Sequence, residues 1–596
     1  MCGIAGCVTA PGREPDRAAL ERMARALRHR GPDDEGIAVE GSVGLVHRRL
    51  AIVDPTPAGH APMADAGGDW LVTYNGEVFN HLELRDDLEG VAWRGGSDTE
   101  TLVEALARWG EGAVPRCNGL FAYAALDRRR GRLLLVRDRF GVKPLYVARH
   151  AGGLWFASEI RALLAAGVPG VVRRDVLAHT VERGWANGPR TPVEAIERVM
   201  PGTLVEVDLE TLATRERAWY DPLEGVGTEP GDLEDVLRGA VHRRLMADVP
   251  LGTMCSGGLD SSLITALAAE AGTVHAFNGR IVDQPEWDEG RWAAEVAEHV
   301  GVELHTLEMT AAGWRAELVD VVRHVEYPLT HESSVPMAAI ARLAHERGIK
   351  VLLSGEGADE LFGGYSWVHH HAFADFAARA RRPEALARAA LRALQRRGVL
   401  ARRAIPDPLP GPSEEVNAYE RACFERALAA YSHHPGPRGR VEAGLAADLS
   451  TYLPHLLNRQ DKTTMMHSVE TRVPFLDPDV VELALNVPLE QRVEPERKAP
   501  LREIGRRLLP RSVAAREKVG FGFDVARYLD GAVREEFLRG GRLRDALGVA
   551  QADWDPRVPA MCAALGPLTA EIWLRTVVEG DPVDAVQAEL WAAERP

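Results

Sequence analysis

The centre of the chain carries the string Ser256-Gly257-Gly258-Leu259-Asp260-Ser261-Ser262. An apolar run at residues 249–255 precedes it and predicts a buried parallel strand. Helix-forming residues 263–269 follow, so the string should join a strand to the N-terminus of a helix. The two glycines let backbone N–H groups approach an anion, and the three serines add hydroxyl donors. The pattern therefore predicts a phosphate-binding loop.

This loop differs from the common phosphate loop, which places a Lys next to a Ser or Thr after its glycines. Asp260 takes the place of that cation, and a carboxylate beside phosphates is suited to holding Mg²⁺. A serine-glycine turn that only ends a strand is the structural alternative. The full string resembles the pyrophosphate-binding loop of the N-type ATP pyrophosphatases, which cleave ATP to AMP and pyrophosphate. The resemblance implies that residues 256–262 bind ATP.

Length and composition limit the classes of protein to consider. A chain of 596 residues is expected to form two or more domains. Its 71 basic and 87 acidic residues give 71 − 87 = −16, which argues against general binding of nucleic acid or anionic membranes. Neither a membrane span nor a signal peptide is recognisable, so a cytoplasmic location is expected. The six cysteines lack C-x-x-C spacing and predict neither disulfides nor a zinc site.

Cys2 directly follows the initiator Met. Removal of Met1 would leave a thiol and a free α-amine on the same residue. Because an α-amine has a pKa near 8, it could take the thiol proton, so nucleophile and base would arrive together. The alternative is a small buried hydrophobe that starts a strand.

Four further strings follow Cys2 in order: Arg28-His29-Arg30-Gly31-Pro32-Asp33, His47-Arg48-Arg49-Leu50-Ala51-Ile52-Val53-Asp54, Tyr74-Asn75-Gly76-Glu77-Val78-Phe79-Asn80 and Gly96-Ser97-Asp98-Thr99-Glu100. With Cys2 they resemble the class II glutamine amidotransferase domain, an N-terminal-nucleophile (Ntn) hydrolase. The resemblance implies that Cys2 attacks glutamine and that Arg49 pairs with its α-carboxylate. It also implies that Glu77 and Asp98 bind the α-ammonium.

The same resemblance makes the Asn75 amide and the Gly76 N–H the oxyanion hole. The residues alone would equally allow a type I′ hairpin turn at Asn75-Gly76. Predicted strands at 133–136 and 155–157 and a predicted helix at 98–108 fit the αββα sandwich of an Ntn hydrolase.

The second half of the chain alternates predicted strands and helices. Residues 274–277 and 349–353 are predicted strands, and residues 289–299 form a predicted amphipathic helix. Such alternation predicts an α/β fold with a doubly wound parallel sheet, which binds ligands at the carboxyl ends of its strands.

The strand at 349–353 runs into Ser354-Gly355-Glu356-Gly357-Ala358-Asp359-Glu360-Leu361-Phe362-Gly363-Gly364-Tyr365. Three acids beside a buried strand favour a Mg²⁺ or base site over a plain acidic turn. With this string the whole chain resembles the glutamine-dependent asparagine synthetase family. In that family the β-carboxylate of aspartate attacks ATP, and ammonia arriving through an internal tunnel displaces AMP from the acyl-adenylate.

That resemblance assigns roles to the residues of the second half. Ser354 and Gly355 would bind the nucleotide, and Asp260 and Asp359 would hold Mg²⁺. Glu356 would deprotonate the incoming ammonia or assist formation of the intermediate. Lys498 would stabilise the charge that develops on phosphorus; alone, it would be taken as a solvated helical lysine. Related cyclases carry a tyrosine in place of Glu356, so this glutamate favours amidation between two molecules.

We expect an amidotransferase domain at 2–215, a linker at 216–230, an ATP pyrophosphatase domain at 231–540 and its extension at 541–596. Residues 371–415 are predicted to form helices over the surface, with a mobile loop at 405–413. The three histidines His369-His370-His371 are predicted to be part of a polar surface. Ser468 to Asp477 and Arg516 to Gly522 also match the family. A homodimer is compatible with the sequence.

Two other functions would account for parts of the sequence. An amide synthetase acting on a different carboxylic acid would carry the same motifs, and residues 331–336 depart from the aspartate-using pattern. A non-catalytic scaffold is disfavoured, because decay would have removed some of the seven residues Cys2, Arg49, Asp98, Asp260, Glu356, Asp359 and Lys498.

Overall fold

The computed structural model describes residues 2–227, 231–365, 413–434, 436–493, 496–516, 522–529, 531–539, 541–549 and 565–592. The predictions for His369-His370-His371, for the surface helices up to residue 412, for the loop at 405–412 and for residues 517–521 lie outside these ranges. Among the helices described, none has the length and apolarity required to cross a membrane.

Two six-stranded antiparallel sheets form the N-terminal half. The first has the strand order β10-β8-β9-β1-β3-β2 and the second β12-β11-β7-β6-β5-β4. Their strands are β1 (Gly3–Val8), β2 (Asp34–Glu40), β3 (Val43–Arg49), β4 (Met63–Ala64), β5 (Trp70–Val78), β6 (Gly119–Asp127), β7 (Arg132–Arg137), β8 (Tyr146–His150), β9 (Gly153–Ala157), β10 (Ile196–Arg198), β11 (Thr203–Asp208) and β12 (Thr214–Ala218).

Along these strands, successive side chains point to opposite faces, so each sheet has one apolar face toward the other sheet and one toward the helices. In β1, Ile4 and Val8 join the apolar layer between the sheets, whereas Ala5 and Cys7 face the helices outside. The helices of this half are α1 (Arg17–Ala26), α2 (His81–Asp86), α3 (Asp98–Trp109), α4 (Ile160–Ala165) and α5 (Arg174–Arg183). Helices α1, α4 and α5 pack on the first sheet and α3 on the second, so the predicted αββα sandwich is confirmed.

Asn75 and Gly76 lie in the middle of β5, opposite Ala122 and Phe121 of β6. The hairpin-turn alternative for this dipeptide is therefore wrong. A Cβ on Gly76 would lie 2.2 Å from the carbonyl oxygen of Leu120, so close pairing with β6 explains the glycine.

The C-terminal half is built on a parallel sheet with the order β15-β14-β13-β16-β17. Its strands are β13 (Leu251–Met254), β14 (His275–Ile281), β15 (Glu303–Met309), β16 (Val351–Leu353) and β17 (Glu470–Arg472). The predicted parallel sheet is confirmed. Strand β13 begins later than predicted, because Pro250 has no N–H to donate to a neighbouring strand. Strand β13 pairs with β14 on one side and with β16 on the other. Because the strand order reverses direction at β13, a crevice opens at the carboxyl ends of β13 and β16.

Helices surround this sheet and continue to the end of the described chain. They are α6 (Leu233–Arg243), α7 (Leu259–Ala271), α8 (Gly290–Val300), α9 (Ala311–Val325), α10 (Ser334–Glu346), α11 (Ala358–Phe362), α12 (Glu414–Ala430), α13 (Pro437–Asp448), α14 (Tyr452–Met465), α15 (Pro478–Asn486), α16 (Leu489–Val493), α17 (Ala499–Leu508), α18 (Arg511–Ala514), α19 (Gly531–Arg539), α20 (Arg542–Leu547), α21 (Gly566–Trp573) and α22 (Val583–Trp591).

Helix α21 lies against helices of both halves, α5 and α9. Its Trp573 is fully buried, and the indole N–H donates to the carbonyl oxygen of Glu326 at 2.8 Å. The last 55 residues, which carry no recognisable motif, thus include a segment packed into the junction between the two halves.

Glu326 joins the two halves through its side chain. Its carboxylate accepts hydrogen bonds from the backbone N–H of Ile160 at 2.8 Å and of Arg161 at 2.6 Å, at the start of α4. It also accepts from the Lys462 ammonium of α14 at 2.5 Å, and both side chains are fully buried. Because burying either charge alone is costly, the pair depends on both partners being present.

We predict that Glu326→Gln lowers the free energy of unfolding by about 3–5 kcal/mol, since it leaves the buried Lys462 without its counter-charge. Urea unfolding followed by circular dichroism measures the effect. The control is Glu346→Gln, whose side chain is 54% exposed and pairs with Arg342 on the surface; it should change stability by less than about 1 kcal/mol. Equal unfolding midpoints for the two variants would contradict this account of the junction.

Candidate active site

Cys2 lies just before β1 and against β5. Its backbone N–H donates to Asn75 Oδ1 at 2.9 Å, and its carbonyl oxygen accepts from Arg30 Nε at 3.2 Å. Burial raises the pKa of the Cys2 thiol. The Asn75 side-chain nitrogen is buried and has no hydrogen-bond partner among the described residues. An N–H donor is therefore available beside the thiol, which is what an oxyanion requires.

Asp98 lies at the first position of α3, close to β5. Its Oδ2 accepts hydrogen bonds from the Tyr74 hydroxyl at 2.8 Å and from the Val78 N–H at 2.9 Å. Ser97 caps the helix by accepting from the Glu100 N–H at 3.3 Å. These contacts fix the carboxylate, and burial raises its pKa.

Glu77 is buried next to Asp98, and its Oε2 has no hydrogen-bond partner in the described structure. Arg472 Nη2 lies 3.7 Å from the other oxygen. Burial, together with the charges of Asp98 and Glu470, raises the pKa of Glu77 well above its ordinary value. A ligand ammonium in this position would supply the missing donor and favour the ionised carboxylate.

Arg49 ends β3 with its guanidinium held by a loop. Its Nη1 donates to the Thr56 carbonyl at 2.8 Å and its Nη2 to the Asp54 carbonyl at 2.5 Å. A Cβ on Gly59 would lie 1.8 Å from Nη2, so only glycine allows this approach. The described bonds use the two terminal nitrogens and leave the Nε–H free for a carboxylate. The binding of glutamine by Arg49 stays a prediction.

A cavity of about 240 Å³ lies at the carboxyl ends of β13 and β16. Its lining includes most of the second-half residues predicted as a site: Ser256, Gly258, Leu259, Asp260, Ser261, Ser354, Gly355, Glu356, Asp359 and Lys498. Gly257 and Ser262 are not part of the lining. The structure thus brings two separate strings and a distant lysine into one crevice.

The backbone of the first loop is shaped by Gly257, whose φ is +75°. A Cβ there would lie 2.6 Å from the backbone nitrogen of Ala293, so glycine is required both by conformation and by space. Gly258 then caps α7 without a side-chain hydrogen bond. The first N–H groups of α7 are consequently open to an anion in the cavity.

The Lys498 ammonium lies between two carboxylates. It is 2.6 Å from Asp260 Oδ2 and 2.7 Å from Asp359 Oδ1. Burial lowers the pKa of Lys498, but the two carboxylates outweigh it and the net shift is upward. A Cβ on Gly364 would lie 1.7 Å from Asp359 Oδ1 and 2.2 Å from Lys498 Cε, so this contact depends on a glycine. Only 5% of Lys498 is exposed, so the solvated-lysine alternative is wrong.

The same carboxylates have the chemistry of a Mg²⁺ site. Asp260 Oδ1 is buried and has no hydrogen-bond partner among the described residues, although Oδ2 is paired with Lys498. An unused carboxylate oxygen within a phosphate loop suits a hard cation that keeps several waters. Asp260 and Asp359 therefore fit the predicted metal site.

Glu356 lines the cavity two residues after Ser354. The backbone N–H of Glu356 donates to Ser354 Oγ at 3.2 Å, and Gln460 Nε2 donates to the same hydroxyl at 2.7 Å. A Cβ on Gly355 would lie 2.9 Å from the Ser261 nitrogen, so the two cavity loops are in direct contact. The third acid, Glu360, is buried away from the cavity.

Glu360 instead accepts a hydrogen bond from the Tyr365 hydroxyl at 2.5 Å. Burial and the neighbouring charges of Asp359 and Glu356 raise the pKa of Glu360 to about 8. The surroundings of this carboxyl therefore favour its neutral form, whereas Glu356 and Asp359 of the same string line the cavity.

Helix α14 connects the two pockets. Gln460 reaches the cavity, and the next residue, Asp461, accepts from Arg30 Nη2 at 2.8 Å. Arg30 also donates to Glu159 at 3.0 Å and to the Cys2 carbonyl. Sequence reasoning missed this network. Arg30 stands in one of the quoted strings, but no local signal identifies a partner 431 positions away.

A cluster of aromatic and imidazole rings lies beside Glu360 and Tyr365. The Tyr452 hydroxyl is 2.9 Å from His331 Nε2, and the Tyr365 and Tyr452 ring centroids are 5.8 Å apart. Trp185 of the N-terminal half packs against Tyr452 in a tilted arrangement, with a centroid separation of 4.6 Å. Burial and the Arg459 charge lower the pKa of His331 to about 3, so the cluster is uncharged at neutral pH.

Comparisons with known proteins match both halves of the chain. Residues 1–220 match a model of the glutamine amidotransferase domain and residues 232–548 a model of asparagine synthase. A glutamine-hydrolysing asparagine synthetase of Bacillus subtilis is 30% identical over 554 residues, which cover 87% of this chain and 86% of its own.

A synthetase of Arabidopsis thaliana is 35% identical over 392 residues, and the match covers 62% of either chain. The chain thus spans about three-fifths of the length of this plant relative. A putative synthetase of Mycobacterium bovis is 29% identical, with 89% of this chain and 88% of its own covered. The protein belongs to the glutamine-hydrolysing asparagine synthetase family.

Proposed function

We propose that the protein makes an amide from a carboxylic acid, ATP and glutamine, and that the acid is aspartate. The products are then asparagine, AMP, pyrophosphate and glutamate. The observation that carries the proposal is the pairing of two pockets through one helix. In the first pocket, beside Cys2, the Asn75 side-chain nitrogen has no hydrogen-bond partner among the described residues; in the second, an ammonium lies between Asp260 and Asp359 under a phosphate loop. The domains would be 2–215 and 231–540, with a linker at 216–230 and an extension at 541–596.

In the first pocket the Cys2 sulfur attacks the carboxamide carbon of glutamine. Burial raises the thiol pKa, so a base must take the proton, and the α-amine exposed by removal of Met1 would serve. The oxyanion accepts hydrogen bonds from the Asn75 amide and the Gly76 N–H. Ammonia leaves, and water then hydrolyses the thioester to glutamate. Glu77 and Asp98 hold the α-ammonium, and Arg49 holds the α-carboxylate.

In the second pocket a carboxylate oxygen of aspartate attacks the α-phosphorus of ATP, and pyrophosphate leaves. The open N–H groups of α7 and the serine hydroxyls bind the phosphates, while Lys498 stabilises the charge on phosphorus. Asp260 and Asp359 would hold Mg²⁺, which neutralises pyrophosphate charge when bound. Ammonia from the first pocket then attacks the acyl carbon, AMP leaves, and Glu356 accepts the proton from nitrogen.

A second candidate is amidation of an acid with an apolar or aromatic group. The uncharged rings of His331, Tyr452 and Trp185 near Glu360 favour it, because aspartate would need cations for its second carboxylate. The positive charge of Arg459 helps to lower the pKa of His331, and its guanidinium donates to Ser333 Oγ at 3.1 Å. Exchange of labelled pyrophosphate into ATP, stimulated by aspartate or by aryl acids, separates the two candidates.

We predict that Cys2→Ala abolishes synthesis from glutamine but retains synthesis from free ammonia, because the variant loses only the nucleophile. Lys498→Met is the reciprocal variant: it should lose pyrophosphate formation and keep glutamate release. Product assays with each nitrogen donor measure both effects. If Cys2→Ala lost synthesis from ammonia as fully as synthesis from glutamine, the two-site proposal would be contradicted.

We predict that Asn75→Ala lowers glutaminase kcat by about 10²–10³-fold, as expected for the loss of one oxyanion-hole donor. Synthesis from ammonia should be unchanged, which separates a catalytic defect from misfolding. Asn80→Ala is the control, because that side chain donates to the Arg116 carbonyl on the surface. An Asn75→Ala enzyme with the glutaminase rate of the control would remove Asn75 from the mechanism.

A further inference from the structure

Three potential metal ligands converge at the amino ends of β14 and β15, away from both pockets. His275 begins β14, Glu303 lies opposite it at the start of β15, and His305 follows two residues later on the same face. His305 Nε2 lies 3.2 Å from His275 Nδ1. The Glu303 oxygens lie 3.6 Å from His275 Nδ1 and 3.7 Å from His305 Nε2.

Hydrogen bonding alone does not account for this convergence. Arg347 Nη1 donates to His305 Nδ1 at 2.8 Å, so a neutral His305 carries its proton on Nε2 and donates it to His275 Nδ1. That single proton satisfies the two nitrogens. The Glu303 carboxylate then faces both nitrogens without a donor between them, whereas a cation in the same space would contact all three groups.

The separations, measured from each imidazole to the nearer Glu303 oxygen, are close to the edges of a metal coordination tetrahedron. Zn²⁺ binds imidazole nitrogen and carboxylate oxygen at about 2.0–2.2 Å, which places neighbouring ligand atoms about 3.3–3.5 Å apart. We propose that His275, Glu303 and His305 bind one Zn²⁺ ion, or another divalent ion that prefers imidazole, with water as the fourth ligand. The inference is independent of the proposed reaction.

The sheet holds these ligands in place. His305 is 7% exposed and its ring stacks on Phe277, with centroids 5.0 Å apart. Arg347 opposes the cation, but it is exposed at the end of α10 and can move away when the proton shifts to Nδ1.

The position of the site suggests what the metal would do. Strand β15 is the edge of the sheet, and a bound ion would cross-link it to β14. Phe277, which stacks on His305, also lines the nucleotide cavity. The ion would therefore stiffen the outer part of the sheet beneath that cavity without touching the reacting groups.

The test is a Zn²⁺ titration of the metal-free full-length protein against a chromophoric chelator. Glu303→Gln and His275→Asn should each weaken the site by more than about tenfold, since even changes to partners of metal ligands have effects of that size. The control is Glu308→Gln, because Glu303 and Glu308 are both on β15 and both 64% exposed. Zn²⁺ should raise the Tm of the wild type and of Glu308→Gln only.

Other histidines and cysteines of the chain can bind Zn²⁺ weakly. This additional binding is the same in the wild type, in Glu303→Gln and in Glu308→Gln. Because the Glu303 side chain is exposed, Glu303→Gln should fold. Its Zn²⁺ titration therefore tests the proposal even if His275→Asn does not fold. Equal Zn²⁺ affinity and equal Tm shifts in the wild type, Glu303→Gln and Glu308→Gln would overturn the proposal.

Discussion

The buried guanidinium of Arg30 ties the two halves of the molecule together. It has no exposed surface and donates to Glu159, to Asp461 and to the carbonyl of Cys2. A cation in the interior costs several kcal/mol unless its donors are satisfied, so Arg30 stabilises only the arrangement in which α14 docks on the N-terminal half. The position of Cys2 is consequently coupled to the position of a helix that belongs to the other half.

The second pocket depends on a different arrangement of charge. Lys498 brings a positive charge between Asp260 and Asp359, where the proposed reaction develops negative charge on phosphate oxygens. Its carboxylate partners hold the ammonium before any ligand arrives, so little reorganisation accompanies the reaction. Gln460 and Asp461, adjacent on α14, contact the cavity and Arg30 respectively, so the two pockets share one rigid support.

Much of the fold and of the site could be predicted because the signals are local. The loop at 256–262, the strings around Asn75 and Asp98, and the alternation of strands and helices each lie within a short stretch, where backbone and side-chain chemistry act together. Asn75-Gly76 shows the limit. The local preference of Asn-Gly for a hairpin turn does not depend on where the dipeptide lies in the fold. Its position in a central strand follows only from pairing with β6.

Long-range contacts explain what the sequence could not predict. Arg30 and Asp461 are 431 residues apart, and His275 and His305 meet only through the register of two parallel strands. The pairing of buried charges and the register of neighbouring strands are decided only when the chain packs, so neither can be read from a short stretch of sequence. The burial of Lys498 is likewise invisible locally, since its surroundings include Gly364 from a distant loop.

The central claim is that both pockets serve one reaction with aspartate as the acid. The most direct test incubates the protein with ATP, Mg²⁺, glutamine and aspartate, and quantifies asparagine, AMP and pyrophosphate. The account predicts all three products in equal amounts. Asparagine formed with ADP and phosphate would contradict the proposed attack on the α-phosphorus, and glutamate release without asparagine or pyrophosphate would exclude aspartate as the substrate.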